Sequence, residues 1–390
     1  MTTIRESIRR LFTSHKPLPA GTYPYQAPPD APVPYRLHLR LEDDGSGVLI
    51  VNASTILHLN PTAAEYAYHI IKGTPEENVA RTVAARYRVN RDQALQDYHS
   101  LIDNIKTMAT STDRDPETYM DFDRKVPYSQ DISAPYRLDC ALTYRLSPGV
   151  DPADAPVDRV KRELSTDEWK TILDKAWDAG IPHVVFTGGE PTLRDDLLEL
   201  LTYVDLKGQV TGLITDGLRM ADPSYVEALI QPKVGLDHLM MVLQPEMNDS
   251  WAALRNLLGA DLFVAVHLTL TPQNASSAGQ ILEQLTQLGV PALSLSASTP
   301  ELHNKLQELR NYAANLALSL VWDLPVPYSS AHPVALELSE DEHEQHVEGA
   351  GKAWLYVEPD GDVLPGQGVN RVMGNFLADP WEKIWAARNA

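Results

Sequence analysis

The chain has 390 residues, of which 43% are hydrophobic, which is enough to bury a large core in two or three domains. Its net charge of −20 at pH 7 argues against nucleic acid or an anionic membrane as a partner, because both attract clustered lysine and arginine. A single cysteine excludes an intramolecular disulfide, and the lack of a signal peptide or of an apolar run of about 18 residues predicts a cytoplasmic protein.

The first third of the chain predicts an arm followed by a small domain. Residues 1–34 contain a short predicted helix, Ile4–Phe12, and then a proline-dense stretch that we interpret as an extended arm, because proline fixes φ and lacks an N–H donor. Residues 35–105 predict a separate winged-helix-like α+β domain. Its predicted elements are a hairpin of Tyr35–Leu41 and Val48–Val51, a strand Ile56–Leu59, and helices opening at Asn60, Thr74 and Asn90.

The strand–helix junction at residues 59–63, Leu-Asn-Pro-Thr-Ala, together with this order of elements, resembles the PqqD-like domain of peptide-modifying systems. The resemblance implies that a precursor or leader peptide adds as a strand to the sheet edge and packs on the third helix. A winged helix that binds DNA is the alternative. Because the third helix carries Asp92, Asp97 and Asp103 against few bases, charge favours a peptide. An interaction module without a peptide ligand also stays open.

Strands and helices alternate in the second half of the chain. Residues 106–134 are polar and acidic and predict a linker. The alternation over residues 135–330 predicts an α/β domain whose parallel strands form a partial (β/α)6 TIM-like barrel. Ser165 and Glu168 predict a capping box, and Thr192 is the predicted N-cap of the helix after the central strand. The predicted strands are residues 136–145, 184–187, 210–215, 239–243, 262–270, 292–296 and 317–322.

Three loops follow predicted parallel strands and therefore share one rim of the barrel. The loop at residues 188–191 resembles the Gly-Gly-Glu-Pro motif of radical S-adenosylmethionine (SAM) enzymes. Residues 214–217 resemble that family's Ile-Thr-Asn-Gly segment, with aspartate in place of asparagine, and residues 244–246 form the third loop. The resemblance implies that the first loop holds the amino group of SAM. The candidate cofactor-binding residues are Gly188, Gly189, Glu190, Pro191, Thr215, Asp216 and Gly217.

The cysteines that the resemblance requires are absent. Radical SAM enzymes bind a four-iron cluster through three thiolates, spaced Cys-x3-Cys-x2-Cys after the first barrel strand. The corresponding positions here are Leu146, Val150 and Ala153. Residues 331–390 contain a hairpin that resembles the start of a SPASM region, yet Gly366 stands where that region has an auxiliary-cluster cysteine. We therefore expect no iron–sulfur cluster and, without iron to chelate it, only weak SAM binding.

On this resemblance, the sequence predicts a degenerate radical SAM/SPASM-like protein that serves as a non-catalytic, peptide-binding accessory subunit of a peptide-maturation system. Its second partner would be a separate, cluster-bearing radical SAM enzyme. A cluster-free SAM-binding enzyme, for example one of polar methyl transfer, is the first alternative, and a plain peptide-binding scaffold is the second. No catalytic residue or metal ligand is assigned. The acids at the rim are Glu190, Asp216 and Glu246. Cys140 is predicted as a buried strand residue, and His267 as a structural histidine next to or within a strand.

Overall fold

A computed structural model describes residues 18–28, 31, 35–52, 55–87, 89–110, 132–150, 159–320 and 349–389. The chain divides into two compact units, residues 1–133 and 134–390. The predicted helix at residues 4–12, most of the predicted linker and the end of the strand predicted at 317–322 lie outside the described residues. Of that last strand, Leu320 makes an isolated parallel bridge to Leu293. Among the described residues, no helix is both long and apolar enough to cross a membrane.

The N-terminal unit combines an antiparallel sheet with three helices. The sheet has the order β1-β2-β3-β4, so that β2, β3 and β4 are the three predicted strands. The predicted helices are also present, and the third extends to Thr110, into the predicted linker. The elements are β1 (Gly21–Gln26), β2 (Arg36–Leu41), β3 (Gly47–Val51), β4 (Thr55–Leu59), α1 (Pro61–Ile71), α2 (Glu76–Tyr87) and α3 (Arg91–Thr110).

Strand β1 was not predicted, because the proline-dense arm gave no strand signal. It pairs antiparallel with β2 from Gly21 opposite Leu41 to Gln26 opposite Arg36. Pro24 is tolerated because β1 is an edge strand, where a missing N–H donor breaks no ladder on the open side. Tyr23 and Tyr25 pack against the core of the unit, which explains why this part of the arm joins the sheet.

Local sequence signals set the first helix of this unit. The Asn60 side chain accepts a hydrogen bond from the Ala63 backbone N–H at 2.9 Å, and Pro61 occupies the first turn. The helix buries Ala64 and Ala67 against leucines of β2 and β3, while α3 contributes a face at helical spacing. The buried residues of this core include Leu37, Leu39, Leu49, Leu57, Ala94, Tyr98, Leu101 and Ile105.

The C-terminal unit contains a nine-stranded sheet with the order β10-β9-β8-β7-β6-β5-β11-β12-β13. The six strands from β5 to β10 are parallel and follow one another in sequence order, as the partial barrel predicts. Within the described residues no pairing joins β10 to β13, so closure of a barrel is not seen. The strands are β5 (Arg137–Thr143), β6 (His183–Gly188), β7 (Val210–Thr215), β8 (His238–Val242), β9 (Phe263–Leu270), β10 (Ala292–Ala297), β11 (Trp354–Val357), β12 (Asp362–Leu364) and β13 (Gly374–Asn375).

Helices connect the parallel strands. The predicted capping box of α4 is confirmed, because Ser165 and Glu168 exchange side-chain and backbone hydrogen bonds. The prediction of Thr192 as an N-cap is wrong: residues 191–193 form a 3₁₀ turn, and the next α-helix begins four residues later. The helices are α4 (Thr166–Asp178), α5 (Leu197–Leu206), α6 (Pro223–Leu229), α7 (Asn248–Leu258), α8 (Ala278–Gln287), α9 (His303–Asn315) and α10 (Trp381–Ala386).

The C-terminal hairpin belongs to the main sheet. The hairpin of β11 and β12 was predicted, but its pairing with the first barrel strand was not. Strand β11 runs parallel to β5, with Trp354 opposite Arg137 and Val357 opposite Cys140. The Tyr144 hydroxyl donates to the Glu358 carboxylate at 2.9 Å, which adds a buried side-chain link between the two segments. The described residues 349–389 therefore extend the sheet of the C-terminal unit.

Candidate active site

The loops after β6 and β7 are joined by the side chain of Glu190, which is fully buried. Its carboxylate accepts hydrogen bonds from the Thr192 backbone N–H at 2.8 Å and the Thr192 hydroxyl at 2.5 Å. On the other side it accepts from the Thr215 hydroxyl at 2.8 Å and the Asp216 backbone N–H at 2.7 Å. One carboxylate thus satisfies two buried backbone donors that lie on different loops.

Burial raises the pKa of Glu190 from its ordinary value of 4.5 to about 8, and the neighbouring Asp216 carboxylate acts in the same direction. The hydrogen bonds from Thr192 and Asp216 favour the charged form and partly oppose this shift. A carboxyl group with a raised pKa titrates near neutral pH, which is a feature of functional sites and also of structural networks.

The two glycines of the motif are required by the neighbouring strand. A Cβ atom on Gly188 would lie 2.2 Å from the Thr143 backbone oxygen, and one on Gly189 would lie 2.3 Å from the Arg145 backbone oxygen. The Gly189 and Glu190 N–H groups donate to these same oxygens, each at 2.7 Å. Only glycine allows the loop to follow the end of β5 this closely. The Gly-Gly pair therefore has a structural reason that does not involve a ligand.

A cavity of about 210 Å³ opens at the carboxyl ends of the parallel strands. This volume is somewhat below the roughly 300–1,000 Å³ of typical small-molecule sites. All three predicted rim loops line it, as the shared edge of parallel strands predicts. A larger surface groove of about 530 Å³ lies on the outer helices around Tyr203 and Leu206, but none of the predicted site residues is among its described lining. The loop residues that line the cavity are Gly188, Gly189, Thr215, Asp216, Gln244, Pro245 and Glu246.

The remaining predicted residues lie outside the described lining of this cavity. Glu190 and Pro191 are buried, and Glu190 acts through the network that it forms with Thr215 and Asp216. Gly217 has a left-handed φ of 75°, and a Cβ there would lie 2.7 Å from the Met241 side chain. Gly217 therefore sets the backbone path of the loop after β7.

Two of the three positions at which the resemblance requires cluster cysteines line the cavity with apolar side chains. Leu146 and Val150 line it, and Ala153 lies outside the described residues. Cys140 is fully buried within β5, and burial, with Asp139 as a second cause, raises the pKa of its thiol well above the ordinary value. In the described part of the chain, no group of three histidine, cysteine or acidic side chains could hold a metal ion. These residues do not fit a thiolate-bound cluster.

Sequence reasoning missed a polar wall of the cavity, which we call the β9–β10 wall: His267, Thr269 and Ser296. The His267 ring lies 3.0 Å from the Ser294 hydroxyl through Nδ1, and 3.0 Å from the Ser296 hydroxyl and 3.2 Å from the Thr269 hydroxyl through Nε2. The sequence does show polar residues at alternating positions, His267 and Thr269 in one strand and Ser294 and Ser296 in the next. Only the structure gives the register that places Ser294 opposite His267. His267 lies within β9, as predicted, and the structure shows that it is buried and also lines the cavity.

One family model matches the central part of the chain. Residues 140–252 match the model of the Radical SAM superfamily, a range that contains the Gly-Gly-Glu-Pro motif and positions 146, 150 and 153. The PqqA peptide cyclase of Streptomyces rochei is 27% identical over 260 residues, covering 60% of this chain and 70% of that protein. The PqqA peptide cyclase of Bradyrhizobium diazoefficiens is 34% identical over 156 residues, covering 38% and 40%. These matches support a relationship to radical SAM proteins.

The fold is also similar to that of solved structures. Streptococcus suis SuiB bound to precursor peptide SuiA has a TM-score of 0.58 at 15% identity, covering 89% of this chain and 86% of that chain. SuiB bound to S-adenosylmethionine gives a TM-score of 0.57 at 16% identity, covering 90% and 86%. At this identity the likeness concerns the fold, which includes the parallel sheet that positions the cavity.

Proposed function

We propose that this protein is a degenerate radical SAM/SPASM-like protein that binds a precursor or leader peptide in the cytoplasm and does not catalyse radical chemistry. In this role it is an accessory subunit of a peptide-maturation system, with a separate cluster-bearing enzyme as its second partner. The observation that carries the proposal is the apolar lining at Leu146 and Val150, in a chain whose relatives include PqqA peptide cyclases. A relative's activity does not follow from the fold, since chemistry depends on the site.

The N-terminal unit supports the peptide-binding part of this proposal. Its sheet ends at β1 on one side and at β4 on the other, and an edge strand presents unpaired backbone groups to an added strand. Since α3 packs against β3, the neighbour of β4, we place the peptide on the β4 edge beside α3. Asp92, Asp97 and Asp103 are exposed on α3, which favours a neutral or basic peptide and disfavours DNA.

Peptide binding can be tested by amide hydrogen exchange of the full chain in the presence of candidate precursor peptides. Bound peptide should slow exchange in residues 55–59 and 91–110, because an added strand satisfies edge N–H groups and covers α3. A scrambled peptide of the same composition is the matched control, since it keeps the charge and loses the order of side chains. Protection that is spread over both units, or equal protection by the scrambled peptide, would contradict this proposal.

The absence of a cluster can be tested by anaerobic reconstitution with iron and sulfide. The unmodified protein should stay colourless and bind no stoichiometric iron, because Cys140 is its one cysteine. The variant with Leu146→Cys, Val150→Cys and Ala153→Cys restores the spacing of three thiolates and is the matched positive control. A stoichiometric four-iron cluster on the unmodified chain would contradict the proposal of a degenerate protein and would support radical SAM catalysis.

A cluster-free SAM-binding enzyme is the second candidate function, and one observation favours it. The sequence offered only acids at the rim, whereas the structure adds His267, an imidazole in the wall of the same cavity. SAM would supply a methyl group activated by its sulfonium, and the Gly188–Gly189 backbone, Asp216 and the β9–β10 wall would hold it. Calorimetry with SAM at millimolar concentration tests binding. Without measurable heat, the barrel is a scaffold and peptide binding is the remaining function.

A further inference from the structure

The outer surface of the C-terminal unit carries a groove, which we call the α5 groove. It is formed by α4, α5 and α6 and by the loop that follows α6, and its volume is about 530 Å³. This volume falls within the roughly 300–1,000 Å³ of typical binding sites. None of its described lining residues belongs to the cavity at the ends of the parallel strands, so the two are separate sites.

Helix α5 carries apolar residues on two faces, whereas a surface helix normally has one apolar face. The face that is buried in the unit consists of Leu197, Leu200, Leu201 and Val204. A second face contributes Leu198 and Leu206 to the groove, and Ala228 and Val234 continue the apolar surface. Leu206 is 79% exposed, whereas the other large apolar side chains recorded as exposed reach at most 52%. A contiguous apolar surface with a charged rim is typical of a contact site between proteins.

The charge of the α5 groove is opposite in sign to that of the whole chain. The chain has a net charge of −20, whereas the charged residues of the described lining are two lysines and one glutamate. Lys170 forms an ion pair with Glu199. Lys233 is exposed, and in the described part of the chain no ion pair is recorded for it. A carboxylate of a bound partner would therefore meet a lysine that no described acid already neutralises.

Tyr203 gives the groove an aromatic wall that is already held in place. Its hydroxyl donates a hydrogen bond to the Asp174 carboxylate at 2.7 Å. The Nζ atoms of Lys170 and Lys207 lie 5.4 and 5.0 Å from the centre of its ring, and Lys207 also pairs with Asp174 at 2.5 Å. A side chain that is fixed before binding loses little conformational entropy when a partner covers it.

We propose that the α5 groove is the docking site for an amphipathic helix of a partner protein, whose apolar side chains cover Leu206 and whose acidic side chain pairs with Lys233. Helices that bind in grooves use apolar anchors at i, i+3 or i+4, and i+7. A second copy of this chain is a poorer occupant, because two chains of net charge −20 repel each other. The inference goes beyond the proposed function: a partner protein is also what the accessory role requires, but the groove depends on neither the precursor peptide nor the cluster.

Three synthetic helices serve as probes of the full chain. The Leu/Glu peptide is an alanine-rich helix of about four turns, with leucines at i, i+4 and i+7 and glutamates beside them. The Leu/Gln peptide has glutamine in place of every glutamate, and the Ala/Glu peptide has alanine in place of every leucine. In fluorescence anisotropy, the Leu/Glu peptide should bind about threefold or more tightly than the Leu/Gln peptide, because glutamine cannot form the ion pair. It should bind at least about tenfold more tightly than the Ala/Glu peptide, since leucine supplies the buried apolar area.

Two pairs of variants locate the binding site. Leu206→Ser and Lys233→Glu change exposed side chains of the groove, so the fold should be kept. Leu206→Ser should weaken binding of the Leu/Glu peptide at least about fivefold, and Lys233→Glu should remove its advantage over the Leu/Gln peptide. Val372→Ser and Lys352→Glu are the matched controls, because both residues are exposed on the same unit and lie outside the described lining. They should leave the affinities unchanged.

Three results would overturn the proposal. They are the absence of binding of the Leu/Glu peptide at millimolar concentration, equal effects of the groove variants and their controls, and a dimer in sedimentation that Leu206→Ser abolishes. The third result would make a second copy of the chain the occupant. None of them affects the hydrogen-exchange test with precursor peptides or the reconstitution with iron, so this proposal and the proposed function can fail separately.

Discussion

Replacing Glu190 tests whether one carboxylate holds the loops after β6 and β7 together. In Glu190→Ala, the Thr192 and Asp216 backbone N–H groups lose the carboxylate that accepts their hydrogen bonds. They stay without a partner, because a backbone N–H cannot rotate towards another acceptor as a hydroxyl can. A buried donor left without a partner costs about 1–3 kcal/mol, so the two together predict a loss of about 2–6 kcal/mol. When Glu190 is ionised, the substitution also removes a buried charge, and this reduces the loss of stability.

The pH dependence of stability separates the effect of the lost hydrogen bonds from the effect of the buried charge. The pKa of Glu190 is raised from 4.5 to about 8, so the folded state binds its proton more firmly than the unfolded state does. The stability from this proton is therefore fully present below pH 4.5 and is lost as pH rises towards 8. At about 1.4 kcal/mol per pH unit, the change over this window is at most roughly 5 kcal/mol. Glu190→Gln cannot ionise and should flatten this part of the curve.

Amide hydrogen exchange at pH 5, 6, 7 and 8 provides a local readout, which matters because two compact units need not unfold together. The amides of Thr192 and Asp216 should lose protection in Glu190→Ala, while the Glu168 amide of the α4 capping box serves as an internal control. Unchanged protection of both amides, or a pH dependence in Glu190→Gln equal to that of the unmodified protein, would refute the structural role assigned to this carboxylate.

A rim glycine, a helix cap and a buried histidine each allow a further test. Gly189→Ala should destabilise the C-terminal unit by about 3 kcal/mol or more in denaturant unfolding, because the new Cβ would lie 2.3 Å from the Arg145 backbone oxygen. The control is Gly279→Ala in α8, where the new Cβ would lie 3.7 Å from its nearest neighbour. This variant should have unchanged or higher stability. Ser165→Ala should cost about 1 kcal/mol and raise exchange in the first turn of α4. Burial lowers the pKa of His238 to about 4, so His238→Gln should remove a loss of stability between pH 6.5 and 4.

The elements that could be predicted are those with local signals. The period-two pattern of β2 and the capping box of α4 depend on neighbouring residues, and both are confirmed. The meeting of the three rim loops also followed from the sequence, because the carboxyl ends of consecutive parallel strands share one edge. The sequence alone therefore predicts contacts between residues that are close along the chain, and positions that follow from strand direction.

The sequence alone did not predict the pairings between strands that are distant along the chain or lack a strand pattern. Strand β1 joins the N-terminal sheet although Pro24 weakens any strand signal, because its tyrosines contribute to the core. Strand β11 pairs with β5 across more than half of the unit, and nothing in either segment specifies the other. The same limit applies to His267, whose hydroxyl partner Ser294 comes from the adjacent strand through a register that sequence alone leaves open.

An intact Gly-Gly-Glu-Pro motif is weaker support for SAM binding than it first suggests. Gly188 and Gly189 are fixed by the backbone at the end of β5, and Glu190 is fixed by donors of two loops, so these three residues of the motif have a structural explanation. A chain that lost both cluster and cofactor would still need these residues to fold. Asp216 differs, because it lines the cavity while its backbone N–H is the group that donates to Glu190. A small molecule in the cavity would contact Asp216 and not the buried Glu190, so measurements on Glu190 report on folding.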